Sequence, residues 1–332
     1  MPEREAMFWS AEGERADCVL CPWHCHIRPD AVGRCSVRKN VHGVLQTLNY
    51  AEVTSMGLDP IEKKPLYHFH PGSSILSLGT FGCNLSCGFC QNWQISQTRP
   101  ATREVEPEDA VRLAQEYVRE GNIGLAFTYN EPFIWYEYIR DTAPLVKQAG
   151  MYNVLVTNGI VEREPLEELL PYIDAMNVDI KSMSERFYLE HCKGQALPAR
   201  QTVERAIGRV HVEITNLIIP GQNDSEEELQ ALVDWAAGVS VDMPVHFSAY
   251  HPDYKFETPP TPPATLKLAY ELARAKLKHV YVGNIQLDGA RDTECAQCGR
   301  LLVSRAGYAG RVVGLNNEGR CAGCGWDPNI RL

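Results

Sequence analysis

The sequence predicts an α/β fold built on a parallel sheet, and three observations carry that prediction. Short β-type runs alternate with helical stretches from about residue 73 to residue 286. Each helical stretch carries its apolar residues on one face. Chemically reactive residue types cluster just after the strands, where parallel α/β folds place their sites. Cysteine-rich segments flank this core, giving three expected units: residues 1–72, 73–286 and 287–332.

Taken in order, Ile75–Leu78 reads as a first strand running into Gly79 and a cysteine loop. Pro107 opens a helix with Ala110, Leu113, Ala114, Tyr117 and Val118 on one side. Ile123–Thr128 is a second strand, followed by a helix over about 133–149. Val154–Val156 is a third, ending at Thr157-Asn158-Gly159 and followed by a helix over about 163–171. Met176–Ile180 is a fourth, with a helix near 199–209 after it. Ile214–Ile219 is a fifth, ending at Pro220-Gly221. Ser225 with Glu228 predicts a capping box for a helix striped by Leu229, Leu232, Val233 and Ala236. Val245–Ala249 is a sixth strand. Pro262-Pro263 then starts a helix with Leu266, Ala269, Tyr270, Ala273 and Leu277 along one side, and Val280–Val282 is a short seventh strand.

Six βα units in succession require parallel strands, because each crossover returns the chain to the same edge. Periodicity leaves open a doubly wound sheet or a full or partial (β/α) barrel. No Gly-x-Gly-x-x-Gly follows the first strand, which argues against a dinucleotide fold.

Composition narrows the function classes. The chain has 332 residues, 44% hydrophobic and 22% charged, with a formal net charge of −10. That charge disfavours a general nucleic-acid binder or a binder of anionic membranes. No apolar run approaches the roughly 20 residues that span a bilayer. Met-Pro-Glu-Arg-Glu-Ala has no basic region followed by an apolar core, so no signal peptide is expected and the chain reads as cytoplasmic.

In a reducing compartment twelve cysteines point to metal or catalysis rather than disulfides. Cys18, Cys21, Cys25 and Cys35 could close a structural zinc or iron–sulfur site, with His24 and His26 as substitute ligands. Cys295-x-x-Cys298-Gly299 and Cys321-x-x-Cys324-Gly325 form two knuckles, a four-thiolate signal for a zinc ribbon or a rubredoxin-like iron site. Between them, Cys83, Cys87 and Cys90 put three thiols within eight residues and no fourth in the loop. Such a set leaves one coordination position vacant, as a catalytic metal centre needs. Cys192 stands alone and reads as a small buried hydrophobe.

The Cys83-x-x-x-Cys87-x-x-Cys90 spacing, with Phe89 before the last cysteine, resembles the radical S-adenosylmethionine (SAM) superfamily over about residues 73–285. The resemblance implies a partial (β/α)6 barrel and a [4Fe–4S] cluster on those three cysteines. SAM would fill the vacancy, and its reductive cleavage would yield a 5′-deoxyadenosyl radical. Phe89 would lie near the adenine. Glu131, in Asn130-Glu131-Pro132, would accept from the amino group of SAM. Thr157-Asn158-Gly159 and Val178-Asp179-Ile180-Lys181 resemble segments of the glycyl-radical-enzyme activases. That likeness places Asn158, Asp179 and Lys181 around the ribose and carboxylate, and His251 after strand six close by. Val156 stands where those activases have an aspartate beside a cation, and Thr215 replaces an arginine.

A closer likeness covers nearly the whole chain. It rests on Cys18-x-x-Cys21-Pro22, Gly33-x-Cys35, Lys64–Phe69, Gly82–Trp93, Thr128–Pro132 and the C-terminal knuckles. These segments resemble the AmmeMemoRadiSam-system radical SAM proteins, relatives of pyruvate formate-lyase activases. The likeness implies Memo-like and AMMECR-like partner proteins and an external flavodoxin- or ferredoxin-like electron donor. Activation of a partner glycyl radical enzyme, and a metal-rich electron-transfer or scaffold protein without turnover, are the alternatives.

Overall fold

The computed structural model describes residues 4–332. Residues ahead of the large sheet, where no periodicity was legible, form short strands: β1 (Arg4–Glu5), β2 (Trp9–Glu12), β3 (Arg15–Cys18), β4 (Cys25–Ile27), β5 (Arg38–Val41), β6 (Val44–Thr47) and β7 (Glu52–Val53). They pair antiparallel as β2-β3-β4 and β1-β6-β5, while β7 pairs with the later two-residue strand Arg103–Glu104. Strands this short cannot show a period-2 pattern long enough to recognise.

The main sheet has eight strands. β8 (Ser55–Pro60) runs antiparallel along one edge of β9 (Ser74–Gly79). The short helix α1 (Trp93–Ser96), the edge strand β10 (Arg103–Glu104) and α2 (Pro107–Glu116) follow. The parallel series continues with β11 (Asn122–Phe127), α3 (Tyr136–Gln148), β12 (Tyr152–Thr157), α4 (Arg163–Leu169) and β13 (Ala175–Asp179). After the short helix α5 (Glu185–Phe187) come α6 (Leu197–Ala206), β14 (His211–Ile218), α7 (Glu226–Val239), β15 (Val245–Ala249), α8 (Pro263–Arg274) and β16 (Val280–Gly283).

Strand order across the sheet is strictly sequential from β8 and β9 to β16. A doubly wound sheet reverses its strand order at a switch point, and this one does not. Sequential order with crossovers of one hand keeps the helices on one face. β8 and β16 are the two ends, so the sheet is open. Its helix-packed face is apolar, with Leu76, Leu78, Leu125, Phe127, Leu155, Met176, Val178, Ile214 and Phe247 at most 1% exposed.

Two helix expectations need correction. α2 stops at Glu116, and Val118 is 52% exposed, because Gly121 (φ 85°) turns the chain back into β11. The capping box of α7 is half formed. Ser225 accepts from the Glu228 N–H at 3.2 Å, but the Glu228 carboxylate leaves the helix to accept from Ser182 Oγ and Met183 N. That carboxylate pins the segment after β13 instead.

The C-terminal residues form β17 (Thr293–Glu294), β18 (Leu301–Ala306) and β19 (Ala309–Val312), a small antiparallel sheet. It docks on residues 61–72 through buried Arg305, whose guanidinium donates to Tyr67 O at 2.7 Å, Arg291 O at 2.9 Å and Thr293 Oγ1 at 2.8 Å. A buried polar network continues under the sheet. Glu213 accepts from the Tyr67 and His68 amides and bonds His211 and His246 at 2.8 and 2.6 Å. Among the described residues no helix is long and apolar enough to cross a membrane.

Candidate active site

A cleft of about 520 Å³ opens at the C-terminal ends of the parallel strands. Cys83, Cys87, Phe89, Cys90, Glu131, Asn158, Asp179 and Lys181 all line it. Eight residues predicted from separate segments thus face one space. His251 is exposed outside that lining, held at the rim by Gln91 at 3.1 Å.

The cysteine loop owes its shape to its neighbours. Gly82 has φ 85°, and an added Cβ would fall 2.5 Å from Cys35 O, so only glycine fits. The side chain of Asn130 donates to Gly82 O at 2.9 Å and accepts from Thr80 N at 3.2 Å, tying the loop after β11 to the cysteine loop. Asn92 donates to Tyr129 O at 2.7 Å from the other side. Ser86 and Gly88 donate to the carbonyls of Cys192 and His191, both at 2.9 Å. Polar donors already face the first sulfur: Leu85 N at 3.4 Å and Asn158 Nδ2 at 3.6 Å from Cys83 Sγ. Burial, and then the Glu131 carboxylate, push the Cys83 thiol well above its usual range. A cationic metal core would reverse that penalty by binding the thiolate.

Glu131 is held tightly in the cleft. It is 1% exposed, with Oε1 accepting from Thr157 Oγ1 at 2.7 Å and Phe133 N at 2.9 Å, and Oε2 from Asn158 N at 2.7 Å. Burial still outweighs these bonds and raises its carboxyl to about 7. A buried carboxylate in that state is primed to pair with a ligand cation. Asn158 is fixed in turn by Asn84 Oδ1 at 2.9 Å and the Ile160 amide at 2.8 Å. Lys181 lies 2.9 Å from Asp179; burial opposes its charge, but Asp179 and the neighbouring thiols hold it above the ordinary ammonium range. Phe89 is buried against Phe187 and Phe256. Val156 and Thr215 line the cleft without adding a charge.

These residues fit a three-thiolate iron–sulfur cluster with an amino-acid ligand. The thiols share one cleft, amide donors point at sulfur, and one buried carboxylate lacks a cation. Cys83, Cys87 and Cys90 would hold the cluster, with Glu131 facing the ligand's ammonium.

Sequence reasoning missed two features. Cys192 is buried as expected, but its thiol also acts on Cys87 and lowers it. The π-helical turn over Tyr188–Cys192 that brings it there has no simple sequence signal. Tyr129 adopts φ 72°, unusual for a non-glycine residue, with its hydroxyl donating to Asp59 at 2.6 Å and Lys64 4.4 Å from the ring centroid.

In the C-terminal unit Cys295, Cys298, Cys321 and Cys324 bring their sulfurs within 4.8 Å of one another. Two pairs lie at 3.5 and 3.6 Å, near the ~3.8 Å edge of a thiolate tetrahedron around one ion with ~2.3 Å bonds. Among the described residues no other group of three or more potential ligands is this compact.

The Radical SAM superfamily sequence profile matches residues 77–236. An uncharacterised protein of Methanocaldococcus jannaschii is 41% identical over 99% of this chain and all of its own length. The chain belongs to the radical SAM superfamily. Membership implies an enzyme with a [4Fe–4S] cluster and SAM. The Escherichia coli K12 pyruvate formate-lyase 1-activating enzyme is 26% identical over 51% of this chain and 71% of its own. Two solved structures share the fold of this chain. Streptococcus suis SuiB bound to S-adenosylmethionine has TM-score 0.51 at 15% identity, covering 63% of this chain and 51% of that one. A radical SAM methyltransferase from Sphaerobacter thermophilus has TM-score 0.51 at 15% identity, covering 70% and 71%.

Proposed function

We propose that this protein binds SAM in the cleft at the ends of the parallel strands and uses it to abstract hydrogen from a substrate. The observation that carries the proposal is the convergence of Cys83, Cys87 and Cys90 with buried Glu131 on one cleft. When bound, the cluster supplies the electron that splits SAM to a 5′-deoxyadenosyl radical; the protein supplies placement and exclusion of water. Glu131 takes the ammonium of SAM and Asn158 orients that carboxylate while donating toward Cys83 sulfur. Lys181, balanced by Asp179, faces the carboxylate side of the ligand. Phe89 presents its backbone to the adenine, and His251 closes the rim. The three-thiolate loop is in this sense the catalytic element, and the chain is an oxidoreductase.

The similarity to the pyruvate formate-lyase activating enzyme supports a second reading, in which the hydrogen comes from a partner glycyl radical enzyme. Val156 and Thr215 in the cleft count against it, since they remove the charged groups that activases carry there. The broader reading takes membership of the AmmeMemoRadiSam system, with Memo-like and AMMECR-like partners. It also takes a flavodoxin- or ferredoxin-like electron donor and a cytoplasmic setting, in keeping with twelve free cysteines. For the C-terminal ribbon it takes zinc, whose tetrahedron the sulfur spacing matches.

The test is anaerobic reconstitution with iron and sulfide, then reductant and SAM. The expected product is 5′-deoxyadenosine, abolished by Cys83→Ala. A fully loaded protein that makes none would remove the proposal.

A further inference from the structure

A second set of thiols meets inside the N-terminal strands. Cys18 ends β3 and is the register partner of Cys25, which opens β4. Cys21 lies in the turn between them, and Cys35 lies in the turn before β5. All four line one enclosed void, just large enough for a sphere the size of one water.

The backbone is already arranged for thiolates. In the C-terminal ribbon the residue two places after a knuckle cysteine donates its amide to the sulfur, as Gly323 does to Cys321 at 3.4 Å. Burial, the larger effect, raises the thiols of Cys18, Cys21 and Cys35, while the amides of Leu20, Trp23 and Val37 stand at the same offset from them and favour their thiolates. Ser36, between Cys35 and Val37, takes a left-handed φ of 65° to allow it.

A buried cation completes the site. Arg38 is 1% exposed and lines the void. Two of its nitrogens bond Met7 O and Glu137, each at 2.6 Å, but Nε has no partner. An unpaired buried donor among four thiols is explained by an anionic group in the void.

Size discriminates between occupants. A single zinc needs thiolates ~3.8 Å apart and leaves no void between them. The ribbon sulfurs meet that requirement, whereas no three N-terminal sulfurs lie within 4.8 Å of one another. A polynuclear cluster holds its thiolates farther apart than one ion does, and seating its core here would push the four thiols outward from a void the size of one water.

The site also abuts the central loop. Trp23 Nε1 donates to Asn84 O at 2.8 Å, and the Cys35 carbonyl packs on Gly82. Each contact joins a residue within two positions of an N-terminal cysteine to one adjacent to Cys83.

We propose that Cys18, Cys21, Cys25 and Cys35 ligate a second [4Fe–4S] cluster, wholly protein-bound, that passes single electrons to the group held by Cys83, Cys87 and Cys90. The relay half rests on the function proposed above; the ligation half does not. One electron arrives from a ferredoxin- or flavodoxin-class donor and moves on, with no bond made or broken.

The test compares the full chain with a Cys83→Ala/Cys87→Ala/Cys90→Ala variant and a Cys18→Ala/Cys21→Ala variant, all reconstituted anaerobically. Circular dichroism checks folding, and Cys25→Ser/Cys35→Ser serves as a second N-terminal variant. The full chain should hold about eight irons and each cluster-deleted variant about four, with matching sulfide. Zinc without iron in the Cys83/Cys87/Cys90 variant would overturn the ligation half. With that half upheld, an intact chain whose electron paramagnetic resonance ignores SAM would sink the proposed function alone. For the relay, N-terminal variants should be reduced by flavodoxin at least ~10-fold more slowly, while dithionite reduces the open cleft at an unchanged rate. Equal flavodoxin rates would overturn it.

Discussion

Replacing Glu131 with Gln tests the electrostatics of the cleft without removing a metal ligand. The wild-type carboxyl titrates near 7 in the folded chain and near 4.5 in the unfolded one. Between those values the unfolded chain has released its proton and the folded chain has not, so stability falls as pH rises. At ~1.4 kcal/mol per tenfold change in proton affinity, the loss is about 3 kcal/mol. Gln has no proton to lose, so Glu131→Gln removes this dependence. It carries a cost of its own, because the amide can offer its carbonyl either to Thr157 and Phe133 or to Asn158, but not to both. One buried donor is left facing an NH2 group, at about 1–3 kcal/mol independent of pH. The variant should therefore be less stable than wild type near pH 4 and approach or pass it above pH 7. Denaturant titrations of both chains with the same metal load, from about pH 4 to pH 8, give the difference directly, with metal contributions cancelling. A difference that stays constant across that range would refute the assignment of a raised carboxyl to Glu131. The same variant should bind SAM roughly 10- to 100-fold more weakly, as the loss of a charge-assisted bond worth ~1.5–3 kcal/mol requires.

Three further outcomes follow from packing and charge. Gly82→Ala forces a Cβ against Cys35 O and a strained φ, so it should cost about 1–3 kcal/mol and lower iron retention while the ribbon keeps its metal; undiminished iron would contradict the tight loop. Arg305→Met strands three acceptors and leaves Glu62, 3.8 Å away, uncompensated, at about 3–5 kcal/mol in denaturant unfolding; proteolysis of the ribbon should accelerate, and a loss under ~1 kcal/mol would contradict its docking role. Against burial, bonds from His211 and His246 hold Glu213 well below the ordinary carboxyl range, so its stabilisation is present above that range and lost as pH falls through the lowered value. Glu213→Gln should flatten the acid limb of a stability–pH curve, and an unchanged limb would reject that account.

Much of the core was legible because its helices and strands carry unbroken periods. The stripe of Leu229, Leu232, Val233 and Ala236 is the buried face of α7, and the short run at Val280 is indeed a strand. The cleft residues were legible because each follows a strand, and parallel order brings strand ends together. What escaped reading depends on contacts distant in sequence. β8 joins the sheet by pairing with β9, and its half-buried residues carry no period of their own. Glu228 looked like a cap because the motif is local, yet its carboxylate serves Ser182 and Met183 across the fold. Cys192 looked isolated because its partner, Cys87, lies 105 positions earlier (192 − 87).

The most direct test of the central claim is electron paramagnetic resonance of the one-electron-reduced, cluster-loaded chain, with and without SAM isotopically labelled in its amino and carboxylate groups. A variant lacking the N-terminal thiols isolates the signal from Cys83, Cys87 and Cys90. Hyperfine coupling from the label to that signal, lost or weakened in Glu131→Gln, is the predicted result. A signal indifferent to SAM in a fully loaded protein would contradict the claim that these three thiols leave one position for it.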